Sequence, residues 1–104
     1  MKIIQTTTDS IKTAELISEI LVENNAAPCV QIIPNIKTAY KWKDKLEKTN
    51  EILLLIKTIS ENVQHCKEII MKHHNYEVPE VVITDGEILL DEYREWFMEN
   101  CEEI

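Results

Sequence analysis

Glycine is almost missing from this chain: Gly86 is the only one among 104 residues. A phosphate-cradling loop needs several glycines so that backbone N–H groups can close on the anion. That chemistry is excluded, and so is a flexible glycine-rich linker. Proline is scarce too, at three residues, and neither a low-complexity tract nor an internal repeat stands out. The three cysteines, Cys29, Cys66 and Cys101, are odd in number and far apart. Their spacing contains no CxxC pair and fits no disulfide framework, so reduced thiols in a cytoplasmic setting are the simplest reading. No apolar run approaches the length that spans a bilayer, and no secretory leader is read ahead of the first strand; no membrane partner is expected. Positive charge is in deficit, with 11 Lys and Arg against 19 Asp and Glu and a formal net charge of −8. Such a chain repels a phosphate backbone, which argues against nucleic acid as a partner, and it draws cations.

What is present reads as one globular domain over residues 1–104. The apolar fraction is 44% and the charged fraction 29%, ordinary values for a folded domain of this size. Lys2–Thr8 is rich in β-branched residues and predicts a strand. Asp9-Ser10 then offers a helix cap, followed by apolar residues at Ile11, Ala14, Ile17 and Leu21, with Leu16 and Ile20 widening the stripe. That is the period of an amphipathic helix ending near Asn24-Asn25. Cys29–Ile33 predicts a second strand. Beyond Pro34, the residues Ile36, Thr38, Tyr40 and Trp42 alternate with Lys37, Ala39, Lys41 and Lys43, which puts aromatics on one face and lysines on the other. A proline inside such a run belongs at an edge or a bulge. Leu46–Asn50 is expected to turn the chain, and Glu51–Ile59 to return as a third strand.

Ser60 is expected to cap a second helix with Val63, Cys66, Ile69, Ile70 and His73 on its inner side. Pro79 leads into a fourth strand, Glu80–Thr84, and Asp85-Gly86 turns. A last helix carries Leu89, Leu90, Tyr93, Trp96, Phe97 and Cys101. The order β-α-β-β-α-β plus a terminal helix is the α+β, ferredoxin-like plan, with the first and third strands central and the second and fourth at the edges. The hairpin from Cys29 to Ile59 is long for so small a domain, and an exposed edge bearing Tyr40 and Trp42 invites cover by another subunit. A homo-oligomer is expected.

Candidate chemistry starts at His73-His74, since imidazole is both a common metal ligand and a proton shuttle. His73 continues the inner stripe and reads as packing, while His74 falls at its margin. Cys66 and His73 lie about 10 Å apart along a helix, too far for a thiol to be activated by hydrogen bonding. No Ser-His-Asp set or paired-carboxylate motif occurs, and an enzyme is the least supported class.

Four stretches together resemble the CutA family of small trimeric proteins named for divalent-cation tolerance. They are Pro28-Cys29-Val30-Gln31-Ile32, Tyr40-x-Trp42, Glu51-x-x-Leu54-x-x-Lys57-Thr58, and His74-x-Tyr76-Glu77-x-Pro79-Glu80. This chain departs from the family pattern with Gln31 for asparagine, Asn35 and Asp44 for glycines, and Asn75 for proline. The resemblance implies a homotrimer that binds Cu(II) or another divalent metal ion, with Cys29 and His74 as ligands. Soft thiolate and imidazole suit copper or zinc, and Glu77, Glu80 or a neighbouring subunit must complete such a site. It also implies no organic cofactor. Similarity of that family to the PII signalling proteins implies an alternative, a small-molecule cleft lined by Tyr40, Trp42, Lys57, Tyr76 and Glu80. A stable trimeric scaffold or anchor for other proteins is a further alternative.

Overall fold

The first strand, β1, spans Lys2–Thr8, and its alternation buries Ile4, Thr6 and Thr8 while Ile3, Gln5 and Thr7 point the other way. The computed structural model describes residues 1–102. Helix α1, Ile11–Glu23, is capped by Ser10, whose hydroxyl accepts from the Thr13 N–H at 3.2 Å. It buries Ala14, Ile17 and Leu21; Ile11, expected on the stripe, and Leu16, expected to widen it, stay 48% and 45% exposed. Asn25 ends the helix in the left-handed region at φ 56°, where asparagine is one of the few residues that sits without large cost.

Strands β2 (Cys29–Trp42) and β3 (Lys45–Thr58) form one hairpin. As expected for Pro34, the ladder shifts register between Ile33 and Ile36, a bulge that leaves Asn35 at φ 63°. The expected turn at Leu46–Asn50 is overturned. Those residues pair with Lys41 back to Lys37, and the chain reverses at Lys43-Asp44. Both turn residues have positive φ, 50° and 63°, as in a two-residue turn whose twist matches that of the flanking strands. Lysine is a poor occupant of that backbone. Lys43→Asn with Asp44→Gly should therefore raise stability by roughly 1–2 kcal/mol, read in urea unfolding at fixed concentration; an unchanged midpoint would show that the turn is not strained.

After β3 the chain makes a 3-10 turn, Ser60–Asn62, before helix α2, Val63–His73. Ser60 does not cap α2 with its side chain. The fully buried Asn62 anchors the turn instead, donating to the Ala26 carbonyl at 3.3 Å and the Glu102 carbonyl at 2.6 Å. Strand β4 is shorter than expected, Val82–Asp85, because pairing with β1 begins only at Val82, opposite Gln5. Helix α3, Asp91–Glu99, starts after Leu89 and Leu90, which are 83% and 72% exposed, and buries only Phe97.

The sheet order is β2-β3-β1-β4, antiparallel throughout, the ferredoxin-like arrangement with a long hairpin and an extra helix. Helices α1 and α2 cover one face, where Ile4, Leu54 and Ile56 meet Ala14, Ile17, Leu21, Cys66 and Ile70. Register places Ile3, Ile33, Leu53, Leu55 and Val82 on the opposite face, and none of them is buried. No helix among the described residues is long and apolar enough to cross a membrane.

Candidate functional site

Antiparallel partners point to the same side of a ribbon. The β2–β3 register therefore puts Glu51, Thr38 with Thr49, and Tyr40 with Glu47 on one face of the hairpin, and Lys37, Lys41 and Lys48 on the other. The first face walls a cleft of about 690 Å³, closed from the other side by Thr7, Asp9, Tyr76, Val78 and Glu80, with Trp42 toward the hairpin tip. Four carboxylates line it, from Asp9, Glu47, Glu51 and Glu80, and no lysine or arginine does.

Glu51 is the buried member, only 7% exposed. One of its oxygens accepts from the Tyr76 hydroxyl at 2.8 Å. Burial and this carboxylate together push the Tyr76 phenol above its ordinary range, so it remains a protonated donor. The second Glu51 oxygen has no hydrogen-bond or ionic partner among the described residues.

Tyr76 is held in turn by the residue that ends α2. The Tyr76 N–H donates to His74 Nδ1 at 2.9 Å, which leaves the ring proton on Nε2, facing the Thr7 carbonyl at 2.8 Å. The two rings lie against each other with centroids 4.9 Å apart. Asn75 continues the clasp: its oxygen accepts from the Thr8 hydroxyl, and its nitrogen donates to Asp9 at 2.7 Å. The segment His74-Asn75-Tyr76 thus ties the end of α2 to the end of β1 and sets the floor of the cleft.

Of the residues singled out in the sequence, Tyr40, Trp42, Tyr76 and Glu80 meet at this cleft. Lys57 does not line it; it lies across from Cys29 and Ile3 on the uncovered sheet face. Cys29 and His74 are not brought together. Cys29 shares the level of Ile3, whereas His74 holds Thr7, about 13 Å further along β1 at the rise of a strand. Among the described residues, no three of His, Cys, Asp and Glu gather as a group that could hold a metal ion. The other thiols are set aside by burial: Cys66 donates to the Ala26 carbonyl at 3.5 Å and is pushed up to about 11, and Cys101 is raised for the same reason. Sequence reasoning missed Asp9, Glu47 and Glu51 as cleft residues. Glu51 carried a signal, as a carboxylate opening an otherwise apolar strand.

Residues 2–100 match the sequence profile of a family described as CutA1 divalent ion tolerance protein. The chain is 37% identical over 93 residues to protein CutA of Mus musculus, covering 89% of itself and 52% of that protein; it spans about half the length of this relative. It is 34% identical over 102 residues to the divalent-cation tolerance protein CutA of Thermus thermophilus, covering 95% of itself and 96% of that chain. Its fold superposes with a TM-score of 0.90 on the periplasmic divalent cation tolerance protein CutA of Archaeoglobus fulgidus, at 32% identity over 98% of this chain and 100% of that one.

Proposed function

The chain belongs to the CutA1 divalent ion tolerance protein family, and from that premise we propose that it works as a homotrimer binding Cu(II) or a related divalent cation between its subunits. The observation that carries this reading is the bare sheet face, where Ile3, Leu53 and Leu55 lie unburied beside Cys29. An apolar face of that extent is stabilised by covering it, and copies of the chain arranged by a closed rotation do so with one repeated contact. The same rotation repeats each thiol once per subunit, so a chain that supplies one soft ligand contributes to a multi-ligand site. Cys29 carries the metal proposal for this reason. His74 joins it only by giving up its bond to Thr7 or to Tyr76. The net charge of −8 favours cation uptake at long range, and the three free thiols favour a reducing compartment, a cytoplasm.

Sedimentation should give three chains per particle at micromolar concentration. Anaerobic calorimetric titration with Cu(II) should show saturable binding that Cys29→Ser weakens at least tenfold without dissociating the trimer. A stable monomer, or Cys29→Ser binding Cu(II) like the unaltered protein, would reject the proposal.

A further inference from the structure

Beyond the helices, the hairpin carries a ribbon face that no other element covers. Leu54 and Ile56 point to the helices, and period two continues that side of β3 outward through Asn50, Lys48 and Leu46. Their β2 partners are Lys37, Ala39 and Lys41, and all six side chains are exposed. No carboxylate shares this face, since Glu47 and Glu51 lie on the opposite one. Lys37, Lys48 and Lys41 form a zigzag that advances about 7 Å per step along the ribbon. None of them makes an ion pair among the described residues.

A stripe of opposite sign lies on the same side of the sheet. Glu15, Glu19 and Glu23 recur at every fourth position of α1 and are exposed, about 6 Å apart along the axis. They too make no ion pair among the described residues. Like charges at this spacing weaken a helix, and Lys12 is the lone cation of α1. The two stripes do not meet within one chain. Helix α1 starts beside Thr8, which pairs with Ile52, and ends at Ala26, whose carbonyl accepts from the Thr58 hydroxyl. It therefore covers the inner half of β3, while the lysines occupy the outer half. Basic and acidic stripes follow each other along the hairpin axis.

We infer that the lysine face of the hairpin docks on the α1 glutamate stripe of a second copy, and the second copy's on the first. A tandem of plus then minus is complementary to itself after a two-fold rotation. Steps of about 7 Å and about 6 Å keep three pairs in register. Leu46 on the lysine face, 69% exposed, and Leu16 beside the glutamates, 45% exposed, add apolar contact. The contact uses the helix side and leaves the bare sheet face free. It would join trimers rather than build them, and it does not rest on the trimer reading.

Its salt dependence follows from two lengths. The net charge of −8 makes whole copies repel. In ~0.01 M salt that repulsion reaches about 30 Å, beyond the 20 Å thickness of the chain. In ~0.15 M salt the reach falls to about 8 Å and contact pairs dominate; in ~1 M, at about 3 Å, these are screened as well. Association is expected to peak at intermediate salt. A contact between apolar faces alone has no reason to weaken again at high salt.

Sedimentation equilibrium of the full chain tests this, at about 100 µM because exposed ion pairs are individually weak. The average mass in ~0.15 M salt should exceed that in ~0.01 M and ~1 M salt by at least half. One variant reverses the hairpin stripe, with Lys37→Glu, Lys41→Glu and Lys48→Glu. Another reverses the helix stripe, with Glu15→Lys, Glu19→Lys and Glu23→Lys. Each alone should lose the growth in mass while keeping the baseline particle, and their equimolar mixture should regain it. Both remain net negative, so recovery in the mixture does not come from overall attraction. A neutral set, Glu15→Gln, Glu19→Gln and Glu23→Gln, should also lose the growth. Three results overturn the inference. One is a mass indifferent to salt, as when the lysines serve an anionic membrane or an acidic foreign protein. Another is undiminished growth in either reversed variant, and the third is a mixture no heavier than its parts. The ratio of masses tests this contact and the baseline mass tests the trimer, so either reading fails without the other.

Discussion

Replacing His74 by alanine should lower stability by about 2–3 kcal/mol, whereas His73→Ala should cost less than about 1 kcal/mol. The two histidines are neighbours in sequence, but they differ in what they hold. The His74 ring is used at both nitrogens, one meeting the Thr7 carbonyl and the other accepting from the Tyr76 N–H. Alanine removes both bonds and the ring contact with Tyr76, and it leaves two half-buried backbone groups to find water. Each lost bond is worth about 1 kcal/mol, more where a partner is stranded. His73 makes no such bond among the described residues; it is half-buried at the end of the α2 stripe. Denaturant unfolding at one fixed protein concentration is the appropriate measure, since the stability of an assembly depends on concentration. The cleft should loosen as well, because Tyr76 is positioned through His74 and itself holds Glu51. Equal losses in the two variants would show that the His74 clasp adds nothing beyond ordinary surface packing.

The contrast between those two positions shows what a sequence makes legible. The direction of each side chain on α2 is a matter of local geometry, so His73 could be assigned to the stripe and His74 to its end. The Thr7 carbonyl that His74 reaches is 67 positions away, and nothing local points to it. The same boundary runs through the hairpin. Ile36 to Trp42 alternates cleanly, so Tyr40 and Trp42 could be placed on one face. Leu46–Asn50 hides its strand because it is short of apolar residues on either face, and its turn lacks the glycine that usually marks such a reversal. The reversal therefore comes earlier than the pattern suggests, at Lys43-Asp44, and the returning strand starts at Lys45 rather than Glu51, while the hairpin as a whole spans what the sequence predicts. Lys57 misled in the opposite way. It is one charge in an apolar strand, which suggests a cleft handle, yet register sets it beside Cys29 instead. Asp9 lines the cleft and accepts a hydrogen bond from Asn75 across the end of β1, a contact between residues 66 positions apart that no local pattern announces.

The last helix carries the second large effect. Phe97→Ala should destabilise the protein by about 3–5 kcal/mol, while Trp96→Ala should cost less than half as much within the chain. Both residues belong to one apolar series in the sequence, and both are aromatic, so composition does not rank them. Their places in the fold do. Phe97 is 1% exposed, at a hollow it shares with Met1, Ile59 and Gly86, whereas Trp96 is 43% exposed. Gly86 donates its N–H to the Met1 carbonyl at 2.9 Å, so Phe97 fills a space bounded by the start of β1 and the end of β4. Removing the ring leaves a cavity walled by backbone that is already hydrogen-bonded, and such walls collapse poorly. Tyr93, whose ring lies 6.4 Å from Phe97 and 5.5 Å from Trp96, can follow neither loss fully without leaving the other. A more conservative variant, Phe97→Leu, should recover most of the loss because it restores volume without the ring. Urea unfolding of the three variants decides the matter: if Trp96→Ala proves the costlier change, α3 is anchored through its outer face and the buried Phe97 is a passenger.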